Sequence, residues 1–385
     1  MNSPTFRIAI ASLILAASFT PSVMAQTQGR PCHFKGFPFR VCASAKSSPA
    51  VPSSADSPAM FTVVADGLQS PRGLAFGPGG RLYVAQAGEG GATLTSKITE
   101  IRYPWLPNPA VQDVVSGLIS LGEEGENVGV AGLSAIGNGT LYAIMELSNA
   151  GTGFSSQLGE LLKVNPGGQI RELTNVGDFN YEFSANHIDL APRDFPDANP
   201  YGVLALADRI YVTDAGTNTL NLVRPDGSDQ ILAYFPNNAI ADATPTCVAK
   251  GPDGALYIGT LALVDSIVFG PSAKVFRVDP SQTDPSNLDT VLNVATVWAT
   301  GLWPINGCAF GPDGSFYASE LITSSNFDGG DVVKIPFATP NVHTSLTNNA
   351  LLFPAGVAVG PDGRVYVSNG TAFVPQGQVL RLTNH

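Results

Sequence analysis

Two short segments of this 385-residue chain gather side chains that could do chemistry. GEEGENVGVAG, Gly122 to Gly132, holds Glu123, Glu124, Glu126 and Asn127; YEFSANHIDL, Tyr181 to Leu190, holds Glu182, Asn186, His187 and Asp189. Carboxylates beside amides can ligate a dication or bind a polar ligand. A histidine titrating near neutrality can act as a general base. His33 lies in an early segment, His343 in an outer strand or loop and His385 at the end, which leaves His187 as the one placed for acid–base work. Each segment reads equally well as a solvated acidic loop. There is no Gly-x-Ser-x-Gly elbow, His-Glu-x-x-His pair, phosphate loop or dinucleotide glycine motif.

These loops must hang on something, and the chain repeats one hairpin six times. The copies are SPRGLAFGPGGRLYVAQ, VAGLSAIGNGTLYAIME, NPYGVLALADRIYVTDAG, TPTCVAKGPDGALYIGT, PINGCAFGPDGSFYASE and FPAGVAVGPDGRVYVSN. Proline presets φ for the first central turn position, aspartate can bond its own backbone, and glycine takes the left-handed corner. The alternation after each turn directs side chains to both faces of a sheet. Each copy shares a tyrosine (Tyr83, Tyr142, Tyr211, Tyr257, Tyr317 and Tyr366) and precedes two further strand-like runs, in blade one Lys97 to Arg102 and Val111 to Val115.

One such unit is apolar on both faces and cannot bury them alone, so neighbours must stack into a ring. The expectation is an all-β, six-bladed β-propeller. The last copy has an inner hairpin and a third strand, Gln378 to Leu382, and then the chain stops; Phe61 to Leu68 supplies the missing outer strand, so both termini close one blade. Aligned on their tyrosines, the copies place Arg72, Ala131, Tyr201, Thr246, Asn306 and Ala355 near the mouth of the channel, followed by Gly73, Gly132, Gly202, Cys247, Gly307 and Gly356. Five glycines of six imply inner strands that approach closely at a crowded axis. The two acidic segments enter inner strands and are expected to overhang that mouth.

The N-terminal MNSPTFRIAIASLILAASFTPSVMAQ has the layout of a secretory signal, residues 1–25, with a run too short to span a bilayer. Residues 26–60 read as a flexible cysteine-containing segment and linker, and 61–385 as the propeller. Export to the periplasm or beyond is therefore expected, with Cys32 and Cys42 closing a small disulfide loop. Cys247 and Cys308, on inner strands, are read as buried free thiols. Charged residues are 13% of the chain against 41 glycines and 30 prolines, favouring strands and turns. A net charge of −11 argues against nucleic acid and anionic lipid as partners. No segment shows a helical apolar period, and the chain is expected to act as a monomer.

Pro304-Ile-Asn306-Gly resembles an amide position of gluconolactonase- and paraoxonase-like propellers. That resemblance implies a divalent ion, calcium being the candidate, held by carboxylate and amide ligands. The other five ring positions lack Asp and Glu, so no metal ligand is assigned and no cofactor is expected. Asn199-Pro-Tyr-Gly202, followed by Thr213-Asp-Ala-Gly216 and Asn218, resembles the ScyD/ScyE family of secreted, NHL-related propellers. The resemblance spans about Phe61 to Leu382. It implies a six-bladed fold, export and an association with maturation of the indolic-phenolic pigment scytonemin, and it carries no catalytic set.

Three readings stand at this point. The first is an exported propeller binding a small, aromatic or phenolic ligand or an extracytoplasmic protein through Arg72, Glu126, Asn127, Asn186, His187, Tyr201, Thr246 and Asn306. The others are a metal-assisted hydrolase or lyase using Asn306 with Glu126, Asn186 or His187, and a structural interaction scaffold.

Overall fold

A computed structural model describes residues 60–123, 125–190 and 195–383. The signal segment, Cys32 and Cys42 lie outside the described residues. The described chain is a six-bladed β-propeller, each blade an antiparallel sheet whose innermost strand lines the axis. Blade one comprises Pro71–Gly77, Arg81–Gln86, Thr93–Arg102 and Ala110–Glu123, with Glu126–Val128 folded back on the last strand. Blade two comprises Val130–Ala135, Leu141–Met145, Glu160–Val164 and Ile170–Asn175. Blade three runs Pro200–Ala205, Ile210–Asp214, Thr219–Val223 and Asp229–Tyr234. Blade four runs Pro245–Lys250, Leu256–Thr260, Ala273–Val278 and Thr296–Leu302. Blade five is Ile305–Phe310, Phe316–Glu320, Asp331–Ile335 and Thr344–Ser345.

Blade six joins the two ends of the described chain. Val357–Val359, Val365–Asn369 and Gly377–Leu382 are completed by Phe61–Leu68, with Phe61 opposite Leu382 and Leu68 opposite Gly377. The closure anticipated from the missing strand is thus realised.

At the axis the inner strands meet backbone to backbone. A Cβ on Gly73 would stand 2.6 Å from the Ala131 carbonyl oxygen, on Gly132 2.4 Å from that of Tyr201, and on Gly202 2.6 Å from that of Thr246. The same holds for Gly307 against Ala355 (2.3 Å) and Gly356 against Arg72 (2.5 Å). No real Cβ tolerates such contacts, so glycine is required at five junctions. The sixth junction, between blades four and five, carries Cys247 instead. There Cys247 is bonded to Cys308, with sulfurs 2.02 Å and Cα atoms 5.8 Å apart. This corrects the reading of both as free thiols: adjacent inner strands bring two cysteines within disulfide reach.

The shared tyrosines also find their reason. Tyr257, Tyr317 and Tyr366 donate their hydroxyls to Asp253, Asp313 and Asp362 of the Gly-Pro-Asp-Gly turns at 3.2, 3.0 and 3.2 Å. The other oxygen of each aspartate accepts a backbone N–H two residues on. Turn and blade core are thereby tied together in these three copies.

Deleting Phe61 to Asp66 should abolish cooperative unfolding by opening blade six; an unchanged melting temperature would contradict the closure. Replacing Cys247 and Cys308 together by serine should cost about 2–4 kcal/mol, read from urea midpoints.

Candidate functional site

The mouth of the channel is built from the first residues of the inner strands, and their sizes alternate. Blades one, three and five supply Arg72, Tyr201 and Asn306; blades two, four and six supply Ala131, Thr246 and Ala355. Glycine-tight strands leave room for three long side chains rather than six. Those three converge. Arg72 donates from one terminal nitrogen to the Tyr201 hydroxyl at 3.1 Å and from the other to the Asn127 carbonyl at 2.6 Å, its guanidinium carbon 5.7 Å from the Tyr201 ring centre. The Asn306 side chain reaches the same hydroxyl and donates to the Pro354 carbonyl at 3.4 Å.

Charge at the mouth is balanced locally. The surrounding protein opposes the charge of Arg72, but the Tyr201 oxygen, Glu146 and Glu126 outweigh that and hold the group firmly protonated. Burial raises the Tyr201 phenol, and Glu146 adds to the effect, against the pull of Arg72 and Asn306. Burial likewise raises the Glu146 carboxyl, although Arg72 and the Gly129 N–H pull it down. The Nε–H of Arg72 is buried with no acceptor.

The short strand Glu126–Val128 meets this cluster through the Asn127 carbonyl, as expected of the first acidic segment. Glu126–Val128 pairs back on the long outer strand of blade one, and Gly122 and Gly125 make the tight return with φ of 106° and 89°. Asn127 fixes it below through its amide to Ser70 Oγ (3.0 Å) and the Gly88 carbonyl (2.7 Å). The Gly125 carbonyl accepts from Phe373 of blade six at 2.9 Å.

The remaining sequence-selected residues lie elsewhere or serve the fold. Thr246 is buried and donates to the Ile305 carbonyl at 2.7 Å, stitching the glycine-free junction. Asn186 and His187 end a helix, Val176–Asn186, that no apolar period announced. Asn175 caps this helix through Asp178, and a polar network anchors it: Asn180 donates to Asp214 (2.8 Å) and exchanges hydrogen bonds with Asn221, which donates to Asp229 (3.0 Å). Asn186 is exposed. His187 packs on Phe183 with ring centres 4.5 Å apart and lines a small separate cleft with Thr217, Asn218, Tyr234 and Asp242. The structure therefore unites Arg72, Asn127, Tyr201 and Asn306, with Glu126 close to Arg72, and sets Asn186 and His187 apart.

Sequence reasoning overlooked the residue at, or just past, the end of the second strand. Gln86, Glu146, Asp214, Glu320 and Asn369 each accept the N–H of a residue that leads into the same blade's inner strand: Gln69, Gly129, Asn199, Trp303 and Leu352. The distances run from 2.7 to 3.0 Å. The signal was present as an acceptor side chain in five of six copies. In blade four Thr260 instead bonds the backbone of Lys274.

No protein-family model and no curated protein matches the chain. Solved structures do. A putative oxidoreductase (glucose dehydrogenase) from Thermus thermophilus is 16% identical, with a TM-score of 0.51 over 84% of this chain and 99% of that one. A gluconolactonase from Xanthomonas campestris is 12% identical, with a TM-score of 0.52 over 84% and 89%. A virginiamycin B lyase from Staphylococcus aureus is 14% identical, with a TM-score of 0.48 over 84% and 100%. At these identities the likeness is one of fold.

The dication implied by the gluconolactonase resemblance does not fit these residues. A guanidinium, which offers donors only, occupies the mouth, and the Thr246 hydroxyl is spent on a backbone carbonyl. Among the described residues no three His, Cys, Asp or Glu side chains form a group that could hold a metal.

The buried carboxyls give a pH signature. Burial pushes Asp214 up to about 6, and pushes Asp229 and Glu320 up to about 7 each. A native pKa above the unfolded value means that the folded state holds the proton more tightly. This stabilisation is full below about pH 4 and is lost as pH rises through 6 to 7. The melting temperature should therefore fall from pH 5 to pH 8. Glu320→Gln, which keeps the acceptor for Trp303, should flatten that fall by about 2–4 °C in calorimetric scans; an identical slope would show Glu320 ionised in both states.

Proposed function

We propose that this protein is an exported propeller that binds a small aromatic anion, a phenolate or carboxylate, at the channel mouth. The observation that carries the reading is Arg72. A guanidinium held by one phenol and one carbonyl, with its Nε–H buried and unpaired, is a cationic group with hydrogen-bonding capacity unspent. An unsatisfied buried donor costs about 1–3 kcal/mol. Reorienting onto an oxyanion would recover that cost through charge-assisted hydrogen bonds. Glu146, the nearby carboxyl, accepts the Gly129 N–H at 3.0 Å, so Arg72 is not its hydrogen-bond partner.

The surroundings suit an aromatic body. The Phe353 and Phe373 rings lie 5.3 Å apart beside the hairpin tip, and the Phe353 backbone adjoins Pro354, to which Asn306 is bonded. A concave site lined by aromatic groups with a few convergent polar ones is the usual form of a small-molecule site. The ScyD/ScyE resemblance, with its indolic-phenolic pigment, supports the same ligand class. Export is supported by the Cys247–Cys308 bond, since stable disulfides belong to oxidising compartments.

Calorimetric titration with 4-hydroxyphenylacetate, indole-3-acetate and the uncharged 4-hydroxyphenylacetamide tests this. The anions should bind the unaltered protein, the amide at least tenfold more weakly. Arg72→Ala should abolish anion binding, and Tyr201→Phe should weaken it several-fold while leaving the fold intact. Anion affinities equal in all three proteins, or absent in all, would overturn the assignment.

A further inference from the structure

The Gly-Pro-Gly-Gly and Gly-Pro-Asp-Gly turns lie at the ends of the hairpins remote from Arg72, and on them sits a patch that the mouth does not explain. Tyr103, Trp105 and Leu106 are 55%, 36% and 49% exposed. They belong to Tyr103-Pro-Trp-Leu-Pro-Asn-Pro109, which links the third and fourth strands of blade one. The loop is held rigidly. Leu106 N–H donates to the Tyr103 carbonyl at 2.9 Å, and Arg381 of blade six donates to the Trp105 carbonyl at 2.9 Å. The Trp105 ring lies on Gly80, two of its atoms 2.6 Å from where a Cβ would be, with Pro361 of blade six beyond. Tyr103 and Trp105 meet edge to face at 5.9 Å.

Arg102 adjoins Tyr103 in the chain, Arg81 follows the Gly80 on which Trp105 rests, Arg381 bonds the Trp105 carbonyl, and Arg364 belongs to the turn of Pro361. Glu100 pairs with both Arg81 (3.3 Å) and Arg102 (2.7 Å), and Asp362 takes the Tyr366 hydroxyl and the Arg364 N–H. Arg364 itself donates to the Thr383 carbonyl at 2.8 Å. Among the described residues these interactions set four guanidiniums against two carboxylates, a local cationic excess on a chain whose net charge is −11.

We propose that this patch binds an anionic polysaccharide, the Tyr103 and Trp105 rings packing on sugar faces and the surplus guanidiniums pairing with uronate or sulfate groups. Planar guanidinium matches carboxylate and sulfate geometry in two-pronged contacts. A pinned aromatic pair presents apolar area at little entropic cost. Three exposed apolar side chains fall short of the roughly 800 Å² per partner that a stable protein interface buries, whereas a polymer gains through repetition along its length. The chain's own N-terminal segment is disfavoured as occupant, because Arg30, Lys35, Arg40 and Lys46 against Asp56 give it the same sign.

The test is titration of the purified chain with heparin oligosaccharides, with neutral dextran and a DNA duplex of matched charge as comparisons. Heparin should bind, weaken as salt rises, and exceed both comparisons. Tyr103→Ser with Trp105→Ser should weaken it at least tenfold at an unchanged melting temperature, and Arg102→Gln with Arg364→Gln should flatten the salt dependence. Should the double aromatic variant prove unstable, Tyr103→Ser alone, at an exposed position, should still weaken binding several-fold. No heparin binding, binding indifferent to the aromatic variants, or equal affinity for DNA would each overturn the proposal.

Discussion

Six inner strands that touch backbone to backbone around one axis set the terms for everything else in this molecule. Where a carbonyl oxygen stands 2.3–2.6 Å from the place a Cβ would occupy, no side chain can intervene, and five junctions are glycine for that reason. The sixth is clasped by a cystine and by Thr246 on the Ile305 carbonyl. So narrow a ring admits long side chains from alternate blades only. Arg72, half-buried, and the buried Tyr201 and Asn306 therefore converge at the mouth, and the arrangement is a consequence of the closure.

Much of this was legible in the residues. The turn aspartates and glycines announce hairpins because their φ preferences and local hydrogen bonds are intrinsic to those residue types. The unpaired Phe61 to Leu68 could be assigned because a propeller leaves it only one place to go. Arg72, Tyr201 and Asn306 could be aligned on their tyrosines, although nothing in the sequence says that they contact each other. Other features were illegible because their causes are tertiary. Cys247 and Cys308 are 61 residues apart, and only the stacking of blades four and five brings them together. The Val176–Asn186 helix lacks an apolar stripe because Asn180, tied to Asp214 and Asn221, anchors it. His187 read as a site residue from its type alone, yet the helix carries it to a different cleft.

The buried acids show how the same residue type takes different roles on one scaffold. Glu320 and Asp214 look catalytic by their raised pKa values of about 7 and 6, but each accepts a backbone N–H that positions the entry to an inner strand. Glu146 does the same and lies within electrostatic reach of Arg72. Perturbed acidity marks burial first, and function only where a ligand-facing group is also present. At the mouth the charged group is a guanidinium, which offers donors only and so gives a dication no ligand.

The claim on which these relations rest is that blades one and three hold each other across the axis through Arg72 and Tyr201. A double-mutant cycle on urea unfolding, using Arg72→Gln, Tyr201→Phe and the pair, measures this directly. A coupling of about 1–3 kcal/mol is expected for a partly buried, charge-assisted hydrogen bond. Additivity within about 0.3 kcal/mol would mean that the two side chains are neighbours without being partners, and the account of the mouth would fail.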